Sequence, residues 1–137
     1  MASFDLELVS PEKLLLSRPV EMVVIPAAEG EMGILPGHAP MIVQLRGGVI
    51  SVTEQGKITE RLFVAGGFCE VTPDRVTVLA DDATPVTSLS KTEAAARVAT
   101  AEAAYEAAAA SGTPEVRELA MDSLLSARAM AQVAEAA

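Results

Sequence analysis

Aromatic residues are almost missing from this chain: no Trp, one Tyr and three Phe in 137 residues. Without them there is no platform for stacking bases. Basic residues are also few, ten against nineteen acidic, for a net charge of −9. The ten are scattered, whereas phosphate binding needs clustered Lys and Arg. Nucleic acid is therefore excluded as a partner, and the same acidity disfavours direct docking on an anionic lipid surface. The single Cys69 rules out an internal disulfide and suits a reducing compartment. No run approaches the ~18 consecutive apolar residues of a spanning helix. The first residues lack the basic and apolar regions of a signal peptide, with Asp5 and Glu7 in their place. These absences predict a cytoplasmic protein, free or held peripherally on a membrane complex.

Half of the chain is hydrophobic, enough for a core, and its first 85 residues differ in kind from the rest. Phe4, Leu6 and Leu8 alternate with Asp5 and Glu7, the period of a strand with one wet face. Further strands are predicted over Leu14 to Leu16, Val20 to Ile25, Met41 to Leu45, Val49 to Val52, Ile58 to Val64, Phe68 to Val71 and Val76 to Leu79. Turn signals separate them, at Ser10-Pro11, Pro26, Arg46-Gly47-Gly48, Gln55-Gly56, Gly66-Gly67 and Thr72-Pro73-Asp74. Short strands at this spacing predict an all-β sandwich or barrel.

After a polar connector from Asp81 to Leu89 the pattern turns helical. Ser90 followed by Glu93 reads as a capping box, and residues 91–110 are good helix formers. Ser111-Gly112 stops that helix, with Gly112 expected in the left-handed conformation. Thr113 caps a second helix with Pro114 at its first position. Val116, Leu119, Ala120, Ser123, Leu124, Ala127, Met130 and Ala134 recur at the helical period and predict its inner face. The first helix offers mainly Ala, plus Val98 and Tyr105, and each buried methyl contributes only about 0.8 kcal/mol. A hairpin that docks weakly on the sandwich is expected. The fold class is α+β: an N-terminal antiparallel β-sandwich (1–85) followed by a C-terminal antiparallel two-helix hairpin (86–137).

The densest punctuation lies in Glu29-Gly30-Glu31-Met32-Gly33-Ile34-Leu35-Pro36-Gly37-His38-Ala39-Pro40, with three glycines, two prolines and the only histidine. It reads as a shaped loop, where binding usually resides. No phosphate loop and no Cys-x-x-Cys or His-x-x-His metal pair is present. Catalysis would have to use His38 with Cys69, which requires the two to be close and the thiol reactive. The simpler roles are a loop-fixing imidazole, a buried thiol and an exposed acidic pair, Glu29 and Glu31.

The segment 29–40 resembles the signature of the epsilon-subunit family of F-type ATP synthases. Gly66-Gly67-Phe68-Cys69-Glu70-Val71-Thr72-Pro73-Asp74-Arg75-Val76-Thr77-Val78-Leu79-Ala80-Asp81 resembles the same family's last two sandwich strands. Both blocks sit at the family's spacing, with the Ala-rich tail where its helical hairpin belongs. The resemblance implies a non-catalytic central-stalk subunit coupling proton-driven rotation of the c-ring to the gamma subunit and ATP synthesis. It implies a peripheral position on the cytoplasmic face of the bacterial inner membrane. It carries Glu29, Gly30, Glu31, Gly33 and His38 over as candidates for contact with the c-ring and gamma. Many relatives bind ATP through a Leu/Ile-Asp-x-x-Arg-Ala motif; here Leu89-Ser90-Lys91-Thr92-Glu93-Ala94 stands instead. Ser90 replaces the Asp and Glu93 the Arg, and a carboxylate repels phosphate. No nucleotide, cofactor or metal site is expected. The family hairpin can also reach the catalytic alpha and beta subunits and inhibit hydrolysis through basic residues. Here residues 86–137 hold Lys91, Arg97, Arg117 and Arg128 against seven acidic residues, so inhibition is expected to be weak or absent. A free-standing adaptor of the same architecture is the rival to the rotor.

Overall fold

The computed structural model describes residues 2–136. Ten strands come first: β1 (Phe4–Val9), β2 (Leu14–Val20), β3 (Met22–Ala27), β4 (Gly30–Ile34), β5 (Met41–Leu45), β6 (Gly48–Glu54), β7 (Lys57–Val64), β8 (Gly66–Val71), β9 (Arg75–Asp81) and β10 (Thr84–Pro85). A short 3-10 turn, Val86–Ser88, leads to α1 (Lys91–Ser111) and α2 (Pro114–Ala136). The strands run β10-β7-β6-β3-β5-β8-β9-β1-β2, with β4 paired to β3 alone.

Between β3 and β5 the ladder narrows to one pair, Ala27 opposite Leu45. The sheet folds over at that joint into two layers. Phe4, Leu6 and Leu8 of β1 and Val76 and Val78 of β9 then share one core with Val23 and Ile25 of β3 and Ile50 and Val52 of β6. The predicted sandwich is therefore present, with one departure from pure antiparallel pairing. β1 lies parallel to β9, Leu6 opposite Val76 and Leu8 opposite Val78, the only parallel pair among the described residues. A parallel neighbour needs a crossover, and here the whole intervening sandwich supplies it.

Four local expectations are corrected. Gly30–Ile34, read as loop, is a strand: Glu31 and Gly33 face out, Met32 is half-buried and Ile34 fully buried. Its period of two was hidden by glycines, which a strand paired on one side only tolerates. Val20 ends β2 instead of opening β3, and Pro26, read as a turn, lies buried inside β3, its carbonyl accepting from the Arg46 N–H at 2.8 Å. Gly112 is extended (φ −83°, ψ 163°), not left-handed; a Cβ there would lie 2.6 Å from the Ala108 carbonyl oxygen. Close approach, not handedness, selects that glycine.

The helices start at the predicted caps, and of the capping box at Ser90 the hydroxyl half forms. Ser90 Oγ accepts from the Glu93 N–H and Thr113 Oγ1 from the Val116 N–H, both at 3.2 Å. Along α1 the covered positions are Ala94, Val98, Ala101, Tyr105 and Ala108, the alternating four- and three-residue steps of a coiled-coil seam. On α2, Leu124, Ala127, Met130 and Ala134 are buried. The expected inner face fails nearer the tip: Val116 is 48% and Leu119 67% exposed. A helical period continues along a helix whether or not anything lies beneath it. A second small core joins the domains, in which Phe63 of β7 meets Ala94, Met130 and Ala134.

Candidate functional site

The β3–β4 hairpin turns at Ala28-Glu29, and the Ala28 N–H donates to the Gln44 carbonyl at 2.9 Å, tying the turn to β5. Glu29 and Glu31 are exposed, Gly30 is half-buried and Gly33 is exposed. Nothing lies within 4 Å of where a Gly33 side chain would begin. This end presents two carboxylates on an open strand edge, free to accept from Arg, Gln or backbone N–H groups.

His38 sits elsewhere. Leu35-Pro36-Gly37-His38 forms a type II turn, with Gly37 at φ +83° and the His38 N–H donating to the Leu35 carbonyl at 3.3 Å. That turn demands positive φ at its third residue, so glycine is required. The Gly37 N–H donates to the Pro73 carbonyl at 2.8 Å, anchoring the turn to the β8–β9 connection. His38 Nδ1 lies 2.8 Å from the Ala39 carbonyl oxygen; a carbonyl only accepts, so Nδ1 carries the proton. The imidazole fixes its own loop. Glu29 and His38 lie beyond opposite ends of β4, a five-residue strand about 17 Å long at ~3.3 Å per residue. The structure brings Glu29, Gly30 and Glu31 together and separates them from His38.

Sequence reasoning missed an apolar row on the outer face of the second layer. Phe68 of β8 lies opposite Leu79 of β9, Leu79 opposite Val9 of β1, and Val9 opposite Leu14 of β2. Phe68 is 53% and Leu79 55% exposed. With Leu125 and Ala129 of α2 they line an open groove of about 1410 Å³ between sandwich and hairpin. Contiguous exposed apolar surface of this kind marks an interaction site. The phase was legible in principle: Glu70 and Thr77 mark the wet face, and Phe68 and Leu79 share it at a spacing of two.

Cys69 is wholly buried, in register with Val43 and Val78. Burial, aided by the Glu70 charge, pushes its thiol up to about 12. A thiol this hard to ionise is a poor nucleophile, which removes the enzyme reading built on it. Among the described residues no group of His, Cys, Asp and Glu could hold a metal ion. Leu89 is half-buried against the second core, Ser90 is engaged as helix cap and Glu93 lies exposed in the first turn. No helix among the described residues is long and apolar enough to cross a membrane.

Residues 3–86 match the family model described as ATP synthase, Delta/Epsilon chain, beta-sandwich domain. An ATP synthase epsilon chain from Granulibacter bethesdensis is 58% identical over 134 residues, 98% of each chain. One from Gluconacetobacter diazotrophicus is 46% identical, covering 98% of this chain and 94% of its own. Among solved structures, a chain of the Euglena gracilis mitochondrial ATP synthase (OSCP/F1/c-ring in rotational state 1) superposes with a TM-score of 0.75 at 26% identity. The match covers 95% of this chain and 80% of that one. With the sandwich, the hairpin and both signature segments in place, this chain belongs to the delta/epsilon-chain family of ATP synthases.

Proposed function

We propose that the chain is the non-catalytic central-stalk (rotor) subunit of an F-type ATP synthase, coupling proton-driven c-ring rotation to the gamma subunit and so to ATP synthesis. The observation that carries this reading is the apolar row Phe68–Leu79–Val9–Leu14, of which Phe68, Leu79 and Val9 line the groove beside α2. A folded chain with a sound core beneath gains nothing from leaving two large apolar side chains half-wet, unless a partner covers them. Gamma is the proposed occupant. The c-ring's polar loops are the proposed partner of Glu29, Gly30, Glu31 and Gly33. His38, at the far end of β4, shapes a separate contact with gamma.

In this reading residues 1–85 form the docking domain and 86–137 a regulatory domain able to touch the alpha and beta subunits. The hairpin's acidic excess makes its inhibition of hydrolysis weak or absent. The subunit needs no nucleotide, metal or cofactor of its own, and it sits peripherally on the cytoplasmic face of the inner membrane through the complex. Affinity capture of tagged chain from detergent-solubilised native membranes, with mass spectrometry, tests this. Recovery of gamma, alpha, beta and the c-ring is expected. Recovery of the chain alone, with the synthase intact, rejects the rotor in favour of an adaptor.

A further inference from the structure

Most of the glycines answer a need of the fold itself. Four of the nine hold a positive φ, a Cβ on Gly47, Gly48 or Gly112 would meet a neighbour at 2.9 Å or less, and one on Gly66 would have contacts at 3.7 and 3.8 Å. Gly33 stands apart. Its φ is not positive, and nothing lies within 4 Å of where its Cβ would start. A glycine inside a strand weakens that strand. Nothing within this chain offsets the loss, so the empty space at Gly33 suits a backbone that approaches from outside.

The strand edge beside it is open. Ala27 pairs with Gly30 of β4 and with Leu45 of β5, so β4 and β5 lie on opposite sides of β3. The Pro26 carbonyl accepts from the Arg46 N–H at 2.8 Å and therefore points toward β5, and proline has no N–H. Glu31, opposite Pro26, thus receives nothing from β3. Bonded and non-bonded pairs alternate in an antiparallel ladder, and the β3–β4 register runs without a shift. Gly33, opposite Val24, is in the same position. The N–H and C=O groups of Glu31 and Gly33 therefore point away from β3. No further strand lies beside β4, and among the described residues no turn or loop reaches these groups.

Other edges are guarded. β2 carries Pro19 and a register shift against β1, and β10 is two residues long and ends in Pro85. Prolines, bulges and short length blunt an edge against a further strand. β4 has neither proline nor bulge.

We infer that the β4 edge is a main-chain docking edge: a polar loop of the c-ring lies along it, exchanging backbone hydrogen bonds with Glu31 and Gly33 across the space a side chain at 33 would fill. This rests on the rotor reading above, which puts the ring at this end of the sandwich. Glu29 and Glu31, exposed at the same tip, favour a segment rich in N–H donors and positive charge. They disfavour a second copy of this chain, whose tip would bring the same two carboxylates.

Hydrogen exchange at single amides tests this in three forms of the protein: the free full-length chain, its complex with gamma, alpha and beta lacking the ring, and the intact synthase. In the free chain Met32 and Ile34 are expected to be protected, and Glu31 and Gly33 to exchange like unstructured peptide. In the intact synthase alone, Glu31 and Gly33 are expected to slow by at least about tenfold. Gly33→Val is expected to keep or raise the melting temperature of the free chain, since valine favours strands, and to leave recovery of gamma unchanged. In the synthase it is expected to abolish the added protection and lower ATP-driven proton pumping, with Gly33→Ala in between. Slowing already present in the ring-free complex overturns the ring as occupant. No slowing in a synthase that retains both chain and ring overturns the docking edge and leaves the rotor reading standing. Full protection and pumping in Gly33→Val overturn it as well. Failure of the tagged chain to recover any ring rejects the rotor reading itself, and the docking edge with it.

Discussion

Arg18 on β2 reaches across the open side of the sandwich to Glu54 on β6, its Nε donating to Oε1 at 2.5 Å and its Nη2 to Oε2 at 3.1 Å. Glu60 of β7 accepts from the same guanidinium at 3.3 Å and Thr59 donates to Glu54. β2 is the edge of one layer and β6–β7 the margin of the other, so this network closes the fold-over that Ala27–Leu45 begins. It is half in solvent, so its worth is near 1 kcal/mol or less despite the bidentate geometry. Urea unfolding of Arg18→Met is expected to show a loss of that size with an unchanged slope.

The same cluster sets a pH dependence. The hydrogen bond from Arg18, then that from Thr59, holds the Glu54 carboxyl below its ordinary value of 4.5. A depressed folded-state pKa contributes stability that is present above the unfolded value and lost as pH falls through the folded one. The parent chain should therefore exceed Glu54→Gln in stability at pH 7, with the gap closing below about pH 4. A gap that keeps its full pH 7 size as the solution is made progressively more acidic would show that the carboxylate's charge is not its source.

Charge reversal at the β3–β4 tip should separate coupling from folding. Glu31 is exposed on a strand edge, so Glu31→Lys is expected to leave the melting temperature within a degree or two while reducing ATP-driven proton pumping in membranes. Unchanged coupling and assembly would remove the acidic tip from the c-ring interface.

The apolar groove makes a sharper demand. Phe68→Ser with Leu79→Ser takes away two exposed side chains and no core contact, so thermal stability should hold. Gamma recovered with the tagged double variant should fall at least about tenfold, because buried aromatic anchors dominate such interfaces. Full recovery would assign the groove to something other than gamma.

Deleting residues 86–137 is expected to change ATP hydrolysis by the complex very little. A several-fold rise would mean that the hairpin inhibits in spite of its charge.

Thiol labelling closes the enzyme alternative. With its pKa near 12 and no exposed surface, Cys69 is expected to react with a maleimide only after denaturation. Rapid labelling of native protein at pH 8 would contradict the burial.

Local chemistry alone carried much of this protein. Alternation in Phe4–Leu8, the Ser90 and Thr113 caps and the Pro-Gly turn at 36–37 act over three or four residues, and the chain shows them directly. The change from short strands to two helices was legible for the same reason, while the two signature segments were legible only through their resemblance to a family. Only the tertiary structure decided which wet-face residues are apolar by design: Phe68 and Leu79 become one surface when β8 pairs with β9 and β9 with β1. It decided that Glu29 and His38, nine positions apart in one Gly-rich segment, lie at opposite ends of a strand. It decided that Val116 and Leu119 stay exposed although their spacing suits burial, and that Gly47 lies so close to Ser126 that a Cβ would meet its Cα at 2.9 Å. Each of these depends on contacts between residues far apart in the chain, and no local propensity encodes what will lie on the other side.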